Sequence, residues 1–196
     1  MDQPRQLVLA STSAYRRALL RRLPLHFVTA APDADETPLA GERPPETAWR
    51  LSMDKARAVA RRYPEALVIG SDQVAALGEE RLGKPGDHAN ALRQLRQLSG
   101  KAADFHTAVS LLDARTGEAR SHIVACRVVF RSLDERQIEN YLRFEQPYDC
   151  AGSAKSEGLG IVLIERIETE DPTSLIGLPL IALSTMLGQA GMPVLG

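Results

Sequence analysis

Apolar and polar positions follow two periods along this chain, and each change of period marks an element. Leu7-Val8-Leu9-Ala10 is a short apolar run closed by Ser11-Thr12-Ser13, after which leucines at 19, 20 and 23 share one helical face. The order predicts strand, polar turn, helix. Residues 32–45 are rich in Pro, Asp, Glu and Gly and read as a surface loop, a place where function often resides when rigid elements hold it. Pro45 opens a helix with an apolar stripe of Trp49, Met53, Ala56 and Ala60, and Pro64 lies just beyond its basic end.

Residues 66–70 are apolar and β-branched and stop at Ser71-Asp72-Gln73, which predicts a buried strand delivering polar groups at its carboxyl end. Asp87 caps a helix through Leu92, Leu95 and Leu98, closed by Gly100. Residues 107–114 and 123–130 flank a Thr116-Gly117 turn and predict a long hairpin. Residues 134–144 read as a helix, 161–167 as extended chain and 179–189 as a closing helix. Strands and helices mix without the alternation of a doubly wound fold, so the expected class is mixed α/β around a long, curved sheet.

Composition narrows the partners. With 196 residues and 44% hydrophobic content the chain can form one substantial core, and a single domain over 1–196 is expected. The formal charge of −1, from 24 basic and 25 acidic residues, supplies no overall field for nucleic acid or an anionic membrane. An anion must then be held by local geometry. No long apolar run occurs, and Met1-Asp2-Gln3-Pro4-Arg5 lacks the apolar stretch of a secretory leader, which predicts a soluble, cytoplasmic protein. Cys126 and Cys150 have neither metal-ligand spacing nor a disulfide framework and read as reduced thiols.

Four stretches carry candidate chemistry. In Ser11-Thr12-Ser13-Ala14-Tyr15-Arg16-Arg17 a helix starts after a strand, with backbone N–H groups free for an anion. Arg16 continues the apolar face of Leu19 and Leu20, at the helix end that disfavours cations, and a bound phosphate would offset both costs. Ser13 as a plain helix cap and Arg16 paired with a carboxylate account for the same pattern. Asp33, Asp35 and Glu36 in the acidic loop, with Asp72 beside buried backbone, suit a hard divalent cation and an activated water, although a solvated loop and an Asx turn also fit. Lys55 on its helix and Lys84 in Gly83-Lys84-Pro85-Gly86 can each present an ammonium to phosphate, without the spacing of a Walker loop. The small residues of Cys150-Ala151-Gly152-Ser153-Ala154-Lys155-Ser156-Glu157-Gly158 let a flat ligand or another backbone come close. The histidines at 26, 88, 106 and 122 share no ligand spacing.

Taken in order, Ser11-Thr12-Ser13-x-x-Arg16, Asp35-Glu36, Lys55-Ala56, Ser71-Asp72-Gln73, Gly83-Lys84-Pro85, Ala151-Gly152 with Glu157-Gly158, and Gly177-Leu178-Pro179 resemble the Maf family of nucleotide pyrophosphatases through nearly the whole chain. The resemblance implies an elongated, two-lobed mixed α/β fold with a central cleft, related to inosine triphosphate pyrophosphatases. It also implies cleavage of a nucleoside triphosphate between its α and β phosphates. A divalent cation (Mg, Mn or Co) is implied, with Glu36 and Asp72 as metal-binding and catalytic carboxylates and Asp72 as proton acceptor. Ser11, Ser13 and Arg16 resemble the phosphate-binding turn, and Lys55 and Lys84 the phosphate clamps. A small-molecule nucleotide is the implied partner, and a homodimer is compatible with the family.

Departures from the commoner pattern bear on the base. Ala14 and Tyr15 replace Pro-Arg, Gln73 replaces threonine and Glu157 replaces glutamine, which resembles the 7-methyl-GTP branch. Methylation at N7 makes guanine cationic, so an aromatic face at Tyr15 attracts it where arginine would repel it. Glu157 can accept from the N1–H and N2–H₂ edge of guanine, and Gln73 can meet the remaining edge or the sugar. Tyr15 packing on Leu19 one turn along is the structural alternative. A pyrophosphatase for dTTP and UTP or for modified nucleotides broadly, and a non-catalytic nucleotide-binding regulator of division, are the rival readings.

Overall fold

The computed structural model describes residue 3 and residues 5–196, so the expectation read from residues 1–5 falls partly outside the described residues. The elements are β1 (Leu7–Ala10), α1 (Ala14–Leu20), β2 (Phe27–Ala30), α2 (Pro44–Ala60), β3 (Leu67–Leu77), β4 (Glu80–Leu82), α3 (His88–Leu98), β5 (Ala102–Asp113), β6 (Ala119–Phe130), α4 (Glu135–Glu145), β7 (Ile164–Thr169) and α5 (Leu180–Gln189), with short 3-10 turns over Ala151–Ser153, Leu159–Leu163 and Ser174–Ile176. The class is mixed α/β, as expected. Hydrogen-bonded strands run in the order β2-β1-β3-β5-β6-β7, with β4 beside β3. β1 pairs in parallel with both β2 and β3, whereas β3 with β4 and β6 with β7 are antiparallel.

The chain divides into two compact units. The first holds the chain up to Gln73, Thr107–Val124 and Asp171–Gly196; the second holds Val74–His106 and Ala125–Glu170. In the first unit, the two-residue period of the strands sorts side chains to opposite faces. Leu7, Leu9, Leu67, Ile69, Val109 and Leu111 join Leu19 and Leu20 of α1 and Leu183 and Leu187 of α5 in one buried cluster. Val8, Ala10, Val68 and Leu112 meet Ala56 and Val59 of α2 in another. The sheet here is covered on both faces, and that explains why β1 and the start of β3 are continuously apolar.

Helix ends follow their caps. Ser13 accepts from Arg16 N at 3.3 Å, Asp87 from Asn90 N at 2.7 Å and Asp134 from Gln137 N at 2.8 Å. Gly100 closes α3 in the left-handed region that glycine tolerates.

Four local expectations change. Trp49 is exposed and Ala60 only partly buried, whereas Met53 and Ala56 are buried as expected; the face that α2 buries is Thr47, Ala48, Leu51, Ser52, Met53, Lys55, Ala56 and Val59. The helix buries small and polar groups close against β3, so an aromatic marks its solvent side. The strand predicted to stop at residue 70 continues to Leu77, placing Ser71-Asp72-Gln73 inside β3. Leu23 lies past the end of α1, although it still packs on the apolar cluster. Finally, residues 161–163 belong to a 3-10 turn, and β7 begins only at Ile164. Cys126 and Cys150 form no disulfide, as expected, and Cys126 is buried in β6.

Candidate functional site

Alternation along β3 decides which groups face which helix. Val68 packs toward α2, and the same parity carries Gly70 and Asp72 to that face, whereas Ile69, Ser71 and Gln73 point the other way. Gly70 is what lets α2 come near. A Cβ added there would lie 1.9 Å from Ser52 O and 2.9 Å from Ala56 N, so a side chain at this position would push the helix off the strand. With the helix seated, Lys55 faces Asp72.

Lys55 is 4% exposed and Asp72 6%, and Lys55 Nζ donates to Asp72 Oδ1 at 2.6 Å. Glu36, from the acidic loop, brings Oε1 to 2.8 Å of the same ammonium. Two carboxylates thus share one cation. Burial pushes the Asp72 carboxyl above its ordinary value, against the pull of Lys55 and, more weakly, Arg16. A buried ion pair returns little net stability after desolvation, so its presence calls for a chemical explanation.

Glu36 is held in reach by a fork on α2. Arg50 Nε and Nη2 donate to the two Glu42 oxygens at 2.6 and 2.9 Å, and Nη2 also reaches Thr37 O at 3.1 Å. Leu39 N and Thr47 Oγ1 donate to the same carboxylate at 3.0 and 2.8 Å. These bonds hold Glu42 down at about 2, with the Arg50 contact the largest cause. Within this loop Asp35 forms an Asx turn, accepting from Thr37 N at 2.9 Å, and Asp33 is exposed.

On the opposite face, the 3-10 turn Ser174–Ile176 and Gly177 present carbonyls to several strand and helix residues. Arg16 Nε donates to Gly177 O at 2.8 Å, and Ser71 Oγ donates to the same oxygen at 2.9 Å. Gln73 Nε2 reaches Thr107 Oγ1, Ser174 O and Leu175 O at 2.9, 3.0 and 3.0 Å. Its amide nitrogen is therefore committed to protein acceptors. Arg16 is half-buried with its Nη groups in no hydrogen bond or ion pair among the described residues, while Arg17 is exposed. Burial pulls the Arg16 guanidinium below its usual range, with Asp72 and Glu36 opposing. Ser11 is buried and its Oγ accepts from Ser13 N at 3.1 Å; Tyr15 is half-buried.

Of the residues named from sequence, the first unit therefore contains Ser11, Ser13, Tyr15, Arg16, Glu36, Lys55, Asp72 and Gln73. Lys84 and Glu157, both exposed, belong to the second unit. The role of Gly177 as the shared acceptor for Arg16 and Ser71, and the Arg50–Glu42 fork, were missed in the sequence. The Gly-Leu-Pro triplet at 177–179 was a usable signal for the first; an Arg-Glu pair eight residues apart is no signal for the second.

Among the described residues no group of three or more His, Cys, Asp or Glu side chains is placed to hold a metal ion. Asp72 and Glu36 do fit a divalent cation in donor type, being hard carboxylate oxygens already gathered on one positive charge, and Mg²⁺ commonly takes one or two carboxylates together with substrate phosphates.

A buried lysine–carboxylate pair and a second carboxylate on one face of β3, with a tethered arginine on the other, form a set of groups suited to a phosphorylated anion. The chain belongs to the Maf-like protein family, whose model matches residues 6–190. It is similar to curated relatives named 7-methyl-GTP pyrophosphatase from Thiobacillus denitrificans (60% identical over 96% of this chain and 94% of the relative), Aromatoleum aromaticum (59%, 95% and 96%) and Cupriavidus pinatubonensis (57%, 96% and 94%). Among solved structures, a HAM1 protein from Coxiella burnetii is 20% identical with a TM-score of 0.46, covering 64% of this chain and 72% of that one.

Proposed function

We propose that this chain hydrolyses 7-methyl-GTP to 7-methyl-GMP and diphosphate. The observation that carries the reading is identity of 57–60% over nearly the full length of relatives bearing that activity in their names. The chemistry is supported by the Glu36–Lys55–Asp72 arrangement with Arg16 nearby in charge.

In the proposed reaction a water oxygen bonds to the α phosphorus and the bond from that phosphorus to the α–β bridging oxygen breaks. Diphosphate leaves with the bond's electron pair. Asp72 orients the water and takes its proton; burial raises the basicity of this carboxylate, which favours proton acceptance. Lys55 and Arg16 stabilise charge on the phosphates, with Ser11 and Ser13 supporting the turn before Arg16. Glu36 and Asp72 would hold a divalent cation (Mg, Mn or Co), which when bound neutralises phosphate charge. Lys84 is assigned as a further phosphate clamp, and Tyr15, Gln73 and Glu157 as readers of the methylated base. We place the protein in the cytoplasm, with no nucleic-acid or membrane partner and with a homodimer as its candidate assembly; no helix among the described residues is long and apolar enough to cross a membrane.

The test is a panel of nucleoside triphosphates with each metal, read as monophosphate and diphosphate. The expected result is a higher kcat/KM for 7-methyl-GTP than for GTP, dTTP or UTP. Tyr15→Arg should lower the ratio for 7-methyl-GTP over dTTP by about tenfold, since it sets a cation against a cation. Preference for pyrimidine substrates by the wild type overturns the base assignment, and absence of diphosphate from every substrate overturns the activity.

A further inference from the structure

Two segments of the second unit carry residues assigned to substrate, residues 83–86 with Lys84 and residues 150–158 with Glu157, and neither lies in an α-helix or a strand. They need holding from elsewhere. Gly86 N donates to Tyr148 O at 3.0 Å, which brings the first segment alongside the chain leading into the second. Asn90 Nδ2 donates to Pro85 O at 3.0 Å, and Glu145 holds Lys155 Nζ and Leu159 N, both at 2.7 Å. Each of these last contacts acts on one segment alone.

Gln94, on α3, touches both. Its Nε2 donates to Gly83 O at 2.9 Å, next to Lys84, and its Oε1 accepts from Ser153 Oγ at 2.6 Å. Ser153 is fully buried at a φ of 56°, a left-handed conformation that a non-glycine residue keeps only when its surroundings enforce it. Behind it, Gly152 at φ +71 sits against Phe105, with a would-be Cβ only 3.3 Å from the ring. The turn is thus pinned in place, and Gln94 transmits that fixed position to Gly83. A primary amide suits the task because one planar group offers a donor to a carbonyl and an acceptor to a hydroxyl.

We infer that Gln94 is a positioning residue, fixing the Lys84 segment against the segment that carries Glu157 so that groups for the phosphate end and the base end of a nucleotide are presented at a set spacing. The inference rests on the roles proposed above for Lys84 and Glu157. Gln94 itself meets no substrate; it acts through its two loop partners. Gln94→Glu keeps the acceptor for Ser153 but turns a carboxylate toward Gly83 O, so it loosens the Lys84 side in particular.

The experiment is steady-state hydrolysis of 7-methyl-GTP by the wild type, Gln94→Ala, Gln94→Glu, Lys84→Ala and the double variant Lys84→Ala/Gln94→Ala. Loss of the two bonds is expected to raise KM about three- to tenfold with kcat nearly kept, and to add little once Lys84 is already gone. Hydrogen exchange without nucleotide, read by mass spectrometry, is expected to quicken over both 83–87 and 150–156 in Gln94→Ala. Equal losses with and without Lys84, or unchanged exchange in either segment, overturn the positioning role while leaving the pyrophosphatase reading intact. A wild type inactive on every triphosphate sinks that reading, and Gln94's part in substrate handling with it.

Discussion

Asp72 sits where electrostatics works against its charge and is ionised only with help. Desolvation favours the neutral acid, so the fold's preference for the protonated form is present below the ordinary 3.8 and is lost as pH rises through the raised folded value. At neutral pH the ionised carboxylate is therefore a cost, only partly offset by Lys55. Asp72→Asn should reduce turnover on the order of 10²-fold or more, because it removes the proton acceptor while keeping the shape. In the metal-free protein the Asp72 carboxyl, followed by NMR against pH, should titrate above the ordinary carboxylate range; a midpoint at or below 3.8 would show that burial does not dominate its surroundings. The two arginines of α1 make a second comparison. Arg16 is half-buried and tied to Gly177 O, Arg17 is exposed, so Arg16→Ala should lose at least about tenfold more kcat/KM than Arg17→Ala. Equal losses would show that both groups act from solvent.

At the scale of elements, the acidic loop depends on α2 more than on its own turn chemistry. Glu42 is depressed from 4.5 to about 2, so the stabilisation it supplies is complete above about 4.5 and is lost as pH falls through about 2. Glu42→Gln should cost about 1–2 kcal/mol at pH 7, allowing for solvent screening, and that difference from the wild type should shrink between pH 4.5 and 2. Denaturant melts at several pH values measure it. The same variant should weaken the contribution of Glu36, seen as a smaller further loss when Glu36→Gln is added. Asp72 was legible in the sequence because an acid next to Val68-Ile69-Gly70-Ser71 has no cheap burial, whereas Glu36 was set apart from Asp33 and Asp35 only by the resemblance to the family. The end of that strand was not legible, since polar residues inside a strand satisfied by a distant turn look the same as residues leaving it. Trp49 misled for a related reason: apolar periodicity reports which residues dislike water, whereas close approach at Gly70 selects small ones.

Across the whole molecule, the ordered motifs identified the family and the mixed α/β class, because each strand and cap obeys a local rule. The division into two units was beyond such rules. Neither unit is a continuous stretch, and no composition shift or linker marks the crossings at 73, 106, 124 and 170. Hairpin β5–β6 contributes to both: Val109 and Leu111 enter the cluster of the first unit, while Phe105 meets Gly152 in the second. Gln94 shows the same limit at smaller range, since its partners at 83 and 153 are set by the fold and not by spacing.

The interleaving bears on how the protein is made. The cluster that covers β1 includes Leu178, Leu183 and Leu187, all made after the last residue of the second unit at position 170. β1 thus waits for part of its cover until after the second unit has been made, and that unit can close first. For a nascent chain the hazard lies in that interval: the cluster that buries Leu7 and Leu9 is incomplete until α5 supplies Leu183 and Leu187.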